Sequence, residues 1–163
     1  MRSMETIRTL TLAVTALATG VMAGVFFTFS NSIMPALGRS DDRTFVEAMQ
    51  KINVAIVNGR FLLFFVGALI ATEVAAALHL TAGSRRALPW LLAAFALSLA
   101  VIIISGTVNI PLNDKLAAAS LTDASAAREA FEAVWVRWNL ARTALSFGAF
   151  IAAVGGLITH LKQ

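Results

Sequence analysis

Four stretches of roughly twenty apolar residues, at about 9–33, 61–80, 89–108 and 143–159, constrain this chain more than any other feature. Each is long enough to cross the hydrocarbon of a bilayer. No water there satisfies a backbone N–H or C=O, so each segment must bond within itself as a helix. The expectation is an all-α fold: a four-helix transmembrane bundle forming a single integral membrane domain over residues 1–163. Only 13% of the residues are charged, against about 25% in soluble domains. The net charge of +4 does not describe a nucleic-acid surface. Its basic residues flank the apolar runs, where anionic headgroups meet them, and no basic stripe with interleaved stacking aromatics occurs. The expected partners are membrane lipids and not nucleic acid. Cysteine is absent, which excludes disulfides, thiolate metal sites and cysteine nucleophiles. The first run continues through Val25, Phe26, Phe27 and Phe29, past the roughly 7–15 apolar residues of a secretory signal, and is read as a retained helix.

Two amphipathic helices are expected on one face of the bundle, at about 41–57 and 124–141. In the first, Ser40 caps the start, and Phe45, Met49, Ile52 and Ile56 recur at helical spacing. In the second, Asp123 caps the start and Ala127, Phe131, Val134 and Trp138 form the apolar stripe, with continuation through Asn139 and Arg142 into the fourth run left open. Both faces carry basic residues, more of them on the amphipathic side. The compact Arg85–Arg86 turn lies against the membrane and places the N- and C-termini in the cytoplasm. Small residues recur every fourth position, at Ala16, Gly20 and Gly24, at Gly67, Ala71 and Ala75, and at Gly148, Ala152 and Gly156. Such ridges serve close packing within the bundle or a homo-oligomer.

The polar residues concentrate at the exits and re-entries of the apolar runs. The stretch GTVNIPLNDKL places Asn109 and Asn113 four residues apart around Pro111. It reads either as a proline kink repaired by a side-chain amide or as part of a ligand pocket. In WVRWNLAR, Trp135, Asn139 and Arg142 share a helical face, with Trp138 displaced toward the stripe. This reads either as interfacial furniture or as a site for a planar oxygenated ligand. Asn53 stands beside the apolar face of the first amphipathic helix. Asn31, Pro35, Asn58 and Arg60 in the first half answer Asn109, Pro111, Asn139 and Arg142 in the second, a weak parallel repeat. Glu73 sits inside the second run, where a carboxylate costs about 2.5–3.5 kcal/mol or more. It is expected to face the bundle, with Thr15, Thr19 or Ser98 as donors and proton-coupled transport as one use. His79 and His160, both near the face of the termini, are read as lone interfacial residues in preference to an axial haem pair. No metal-ligand spacing, phosphate-binding glycine loop or serine-nucleophile elbow occurs, so neither metal nor cofactor is expected.

Four ordered segments, GVFFTFSNSIMPALG, FVEAMQKINVAIVN, TVNIPLNDKLAA and WVRWNLARTA, resemble the DUF1772 or anthrone-oxygenase-like family of small four-helix membrane proteins. The resemblance covers nearly the whole chain. It implies a bacterial cell (inner) membrane location and, from fungal relatives, oxidation of an anthrone by molecular oxygen without a metal or flavin. It puts weight on Ser30, Pro35, Gln50, Asn53, Asn109, Pro111, Asn113, Trp138, Asn139 and Arg142. It implies a hydrophobic aromatic or quinone-like ligand, with Trp135 or Trp138 holding its rings. Asn139 and Arg142 would stabilise the anion's oxygen, and Asp114 is the nearest candidate base. Many relatives carry a histidine where this chain has Leu140. The activity implied is a cofactor-independent oxygenase. A non-enzymatic lipid-, quinone- or protein-binding role and transport through Glu73 stand beside it.

Overall fold

The structure, a computed structural model, describes residues 2–162 and is all-α. Among the described residues the chain builds five helical rods. The first joins α1 (Arg2–Thr28), a π-helical turn (Phe29–Ile33) and α2 (Met34–Leu37). The second is α3 (Asp42–Ile56) and the third α4 (Gly59–Leu78). After a 3₁₀ turn at Ala82–Ala87 comes α5 (Leu88–Ile104), which runs through a second π-helical turn (Ser105–Asn109) into α6 (Ile110–Ala117). The last rod is α7 (Ala124–Leu161). Four of the rods are long and apolar enough to cross a membrane. The chain is a multi-pass membrane protein.

Only α3 is a separate extra helix. The second amphipathic helix expected at 124–141 is instead the front half of α7, which runs 38 residues without a break. At 1.5 Å per residue that is about 57 Å, whereas the hydrocarbon is about 30 Å thick. The front half therefore stands beyond the membrane. Its buried face is also turned from the expected stripe. Phe131, Trp135, Asn139 and Arg142 point inward, while Val134 is exposed and Trp138 half-buried. With α2, α3 and α6 this half forms a cap with its own apolar core, including Phe29, Phe45, Met49, Leu116 and Phe131.

Both π-helical turns lie immediately before a proline-bearing helix. Met34 N–H bonds the Phe29 carbonyl and Ile110 N–H bonds the Ser105 carbonyl, each five residues back. Pro35 and Pro111 lack an N–H and crowd the preceding turn. One extra residue per turn absorbs that conflict, so both rods continue through their prolines. The matched devices match the weak repeat in the sequence.

Local caps hold the connections. Asp41, not Ser40, caps α3: its carboxylate accepts from Thr44 N at 3.0 Å and from the Thr44 hydroxyl, and these bonds hold its pKa below the usual carboxylate value. Asn58 caps α4, accepting from Arg60 N and Phe61 N. Asp123 precedes α7 without a capping bond. Arg128 locks the α2–α3 corner, donating to the Gly38 and Ser40 carbonyls, Asp42 and Glu132. Its guanidinium also lies over the Phe45 ring.

The small-residue ridges serve packing within the chain at several points. A Cβ built on Gly20 would meet the Phe150 ring at 3.1 Å, and one on Gly156 would meet Leu91 Cδ2 at 2.9 Å. Gly24 and Gly67 face open space. Leu91 is fully buried, so it has no room to retreat. Gly156→Val is expected to lower stability by about 1–3 kcal/mol through overpacking, read as a lower denaturation midpoint in mild detergent. Gly67→Val should leave that midpoint unchanged.

The terminal end of the bundle is held by a clasp that the isolated-histidine reading missed. His79 and His160 meet at 3.4 Å between ring nitrogens, and His79 Nδ1 bonds the Ala75 carbonyl. Arg8 bonds Glu5, the Leu78 carbonyl and Thr81. α1, α4 and α7 are thereby tied at one level.

Glu73 differs most from expectation. The inward face of α4 is carried by Ala68, Thr72, Ala75 and Ala76, and the next position after Thr72 turns outward, so Glu73 is exposed. Thr15 and Thr19 bond backbone carbonyls and not Glu73. Only five residues, about 7.5 Å of rise, separate Glu73 from the end of α4. Its side chain can extend toward the interface as long charged side chains do.

Candidate functional site

At the end of the bundle opposite the termini, beneath the cap, a cavity of about 420 Å³ opens between α1, α3, α4, α6 and α7. Its lower wall is apolar and aromatic, built from Phe26 and Phe29 of the first rod and Phe61 and Phe65 of α4. Its upper wall is polar, with Gln50 and Asn53 from α3, Asn113 and Asp114 from α6, and Ser105 from the π-helical turn. Trp135 and Arg142 complete it from α7. This is the usual composition of a small-molecule site: mostly apolar walls with a few placed polar groups.

Arg142 is the central element. Only 7% of it is exposed. Its Nη1 donates to Ser105 Oγ at 3.2 Å and its Nη2 to Asn139 Oδ1 at 2.9 Å. The guanidinium carbon lies 4.5 Å from the Phe26 ring centroid and 5.4 Å from that of Trp135. Among the described residues no carboxylate forms an ion pair with it; the pairs present involve Arg8, Lys51, Arg128 and His160. Its Nε has no hydrogen-bond partner, and Asn53 Nδ2 on the same cavity is likewise unpaired. Buried cations are normally paired, and buried donors normally bonded. Two donors on one cavity break that pattern together.

Behind Arg142 stands a supporting layer. Asn139 is 1% exposed and does not line the cavity. Its amide donates to the Phe26 carbonyl at 3.1 Å and to Ser30 Oγ at 2.8 Å, while its oxygen accepts from Arg142. Ser30 in turn meets the Thr143 hydroxyl at 3.0 Å. Asn109 also lies behind the wall, with its amide on the Trp135 carbonyl at 3.3 Å and its Oδ1 unpaired. The π-helical turns set these positions: one carries Ser30 and the other carries Ser105 and Asn109. Asn113 fixes the Trp135 ring by accepting from its Nε1 at 2.8 Å. Gln50 ties the lid to the end of α6 through the Leu116 and Ala119 carbonyls.

The candidate residues therefore separate into groups. Arg142, Trp135, Gln50, Asn53, Asn113 and Asp114 meet on the cavity. Asn139, Asn109 and Ser30 hold it from behind. Asn31 is exposed and bonds only its neighbour Ser32, and Trp138 is half-buried off the cavity wall. Glu73 is remote from it. The aromatic wall and Ser105 went unread in the sequence, because Phe in an apolar run carries no signal beyond hydrophobicity. Leu140 is 60% exposed and faces away from the cavity.

Comparisons with known proteins give one finding. The family described as anthrone oxygenase matches residues 60–152, a span that contains Asn113, Asp114, Trp135, Asn139 and Arg142. No curated protein and no solved structure matches the chain. With more than half of its length matched, the chain belongs to the anthrone oxygenase family.

Proposed function

We propose that the cavity binds a flat, hydrophobic molecule bearing an acidic oxygen and favours its anion for reaction with molecular oxygen. The observation that carries this reading is Arg142, a buried guanidinium on the cavity wall with no carboxylate partner among the described residues. A ligand oxyanion supplies the missing counter-charge, and the Asn53 amide offers a second donor. Phe26, Phe29 and Trp135 give the rings an aromatic bed.

An anthrone fits this chemistry. Loss of a proton from its central methylene gives an aromatic anion whose charge rests largely on oxygen, where Arg142 stabilises it. Asp114, exposed on the cavity wall, is the candidate acceptor of that proton. The anion's carbon adds molecular oxygen, forming a C–O bond, and the O–O bond then breaks. One oxygen atom remains as the new carbonyl, and the other leaves as water, taking the second methylene proton and the first one returned by Asp114. The carbon loses four electrons and molecular oxygen gains four. The protein's part is to orient the substrate and hold its charge.

The test is oxygen uptake by the purified chain in lipid nanodiscs with anthrone supplied. Uptake in excess of empty nanodiscs, reduced by Asp114→Asn, is expected, with about 10²-fold loss if Asp114 is the base. A chain that binds anthrone without added oxygen uptake would be a binding protein using the same cavity. Transport through Glu73 is not favoured, because that side chain faces outward from the bundle.

A further inference from the structure

We infer that the ligand reaches the cavity sideways from the bilayer, through a window bounded by Val54, Val57, Leu62 and Ile110. This rests on the reading of the cavity as a ligand site and adds where the ligand comes from.

The window exists because two sets of helices separate there. α4 packs on α1 and α5, whereas α3 packs on α2, α6 and α7, with no comparable packing between α4 and either α3 or α6. The corner between α3 and α4 is short and fixed. Asn58 donates to the Ala55 carbonyl at 2.8 Å and accepts from Arg60 N and Phe61 N. Val57 is thereby held outward. All four framing side chains line the cavity and are exposed, Val54 by 77% and Val57 by 65%.

The frame has the character of a lipid-facing surface. α3 is graded along its length, with Asp42, Arg43, Glu47 and Lys51 over its first ten residues, Val54 near its end and Val57 just past it. Exposed apolar groups of this density mark a contact with lipid or a partner; beside four rods apolar enough to cross a membrane, lipid is the contact we infer for this edge of the cap. Arg60 and Asp114, both exposed beside the window, set the headgroup level. A bilayer-dissolved aromatic with its polar oxygen at that level meets the window already oriented, oxygen toward Asn53 and Arg142 and rings toward Phe61 and Phe65. The chemical class is a lipophilic, weakly acidic aromatic that partitions into membranes, and not a water-soluble anion.

Two measurements on the full chain in nanodiscs test this. The chain has no cysteine, so Val57→Cys and Leu62→Cys can each carry a nitroxide. Their collision rates with molecular oxygen, concentrated in lipid, are expected to exceed those with a water-soluble nickel chelate. Dominance of the nickel chelate at both positions overturns the proposal, whatever the cavity binds. The second measurement follows anthrone binding by Trp135 quenching in a Trp90→Phe, Trp138→Phe background. Adding Val57→Phe and Leu62→Phe is expected to slow association about tenfold. Unchanged association, or equally fast quenching by aqueous anthraquinone-2-sulfonate, overturns the lateral route. Undiminished anthrone affinity in Arg142→Met instead overturns the reading of the site and leaves the nitroxide result to stand alone.

Discussion

Arg142→Met is expected to remove anthrone-dependent oxygen uptake while leaving the fold as stable as before, or more so. A buried charge without an ionic partner is costly, and replacing buried ionic groups by apolar ones of similar volume is often neutral or stabilising by about 1–4 kcal/mol. Against that gain, Asn139 Oδ1 loses its donor, at about 1–3 kcal/mol for an unsatisfied buried group. Ser105 Oγ still donates to the Val101 carbonyl, so it is not stranded. The two effects offset one another. Activity has no such offset: loss of one oxyanion donor typically costs about 10²–10³ in rate. A parallel fall in both activity and denaturation midpoint would show that the guanidinium serves the fold.

Asn139→Leu is expected to fail the other way, losing stability first and ligand binding as a consequence. The substitution keeps the side chain's approximate size but removes three bonds: to the Phe26 carbonyl, to Ser30 and to Arg142. The Phe26 carbonyl and the Arg142 guanidinium stay buried with fewer partners. A loss of about 2–4 kcal/mol follows from stranded buried groups of this kind. Because Asn139 lies behind the wall, its effect on ligand is through the aim of Arg142. Thermal denaturation in detergent, with anthrone titration at low temperature, separates the two. A midpoint as high as that of the unsubstituted chain would remove Asn139 from this supporting role.

The sequence showed the membrane frame plainly, because runs of twenty apolar residues leave a backbone no alternative to helix. It also showed that Trp135, Asn139 and Arg142 share a face, since their spacing fixes this once α7 is helical. Other features depended on tertiary context. Pro35 suggests a stop or a bend and Pro111 a kink, but a π-helical turn before each lets the rod continue. Polar residues at 124–141 suggested a surface helix, yet nothing there stops a helix, so it runs straight into the span. Glu73 was assigned inward on cost alone; the packing face of α4, set by Ala68, Thr72 and Ala75, decided otherwise. Of the amides, only those on α3 and α6 line the cavity; Asn109 and Asn139 lie behind its wall, bonded to backbone carbonyls.

The most direct measurement is the pH at which protein-bound anthrone ionises, followed by the visible absorption of its anion in nanodiscs. A guanidinium held against the ligand oxygen favours the anion, so ionisation is expected at lower pH in the unsubstituted chain than in Arg142→Met or in empty nanodiscs. Ionisation at the same pH in all three would contradict the claim that Arg142 is kept for the charge of a ligand.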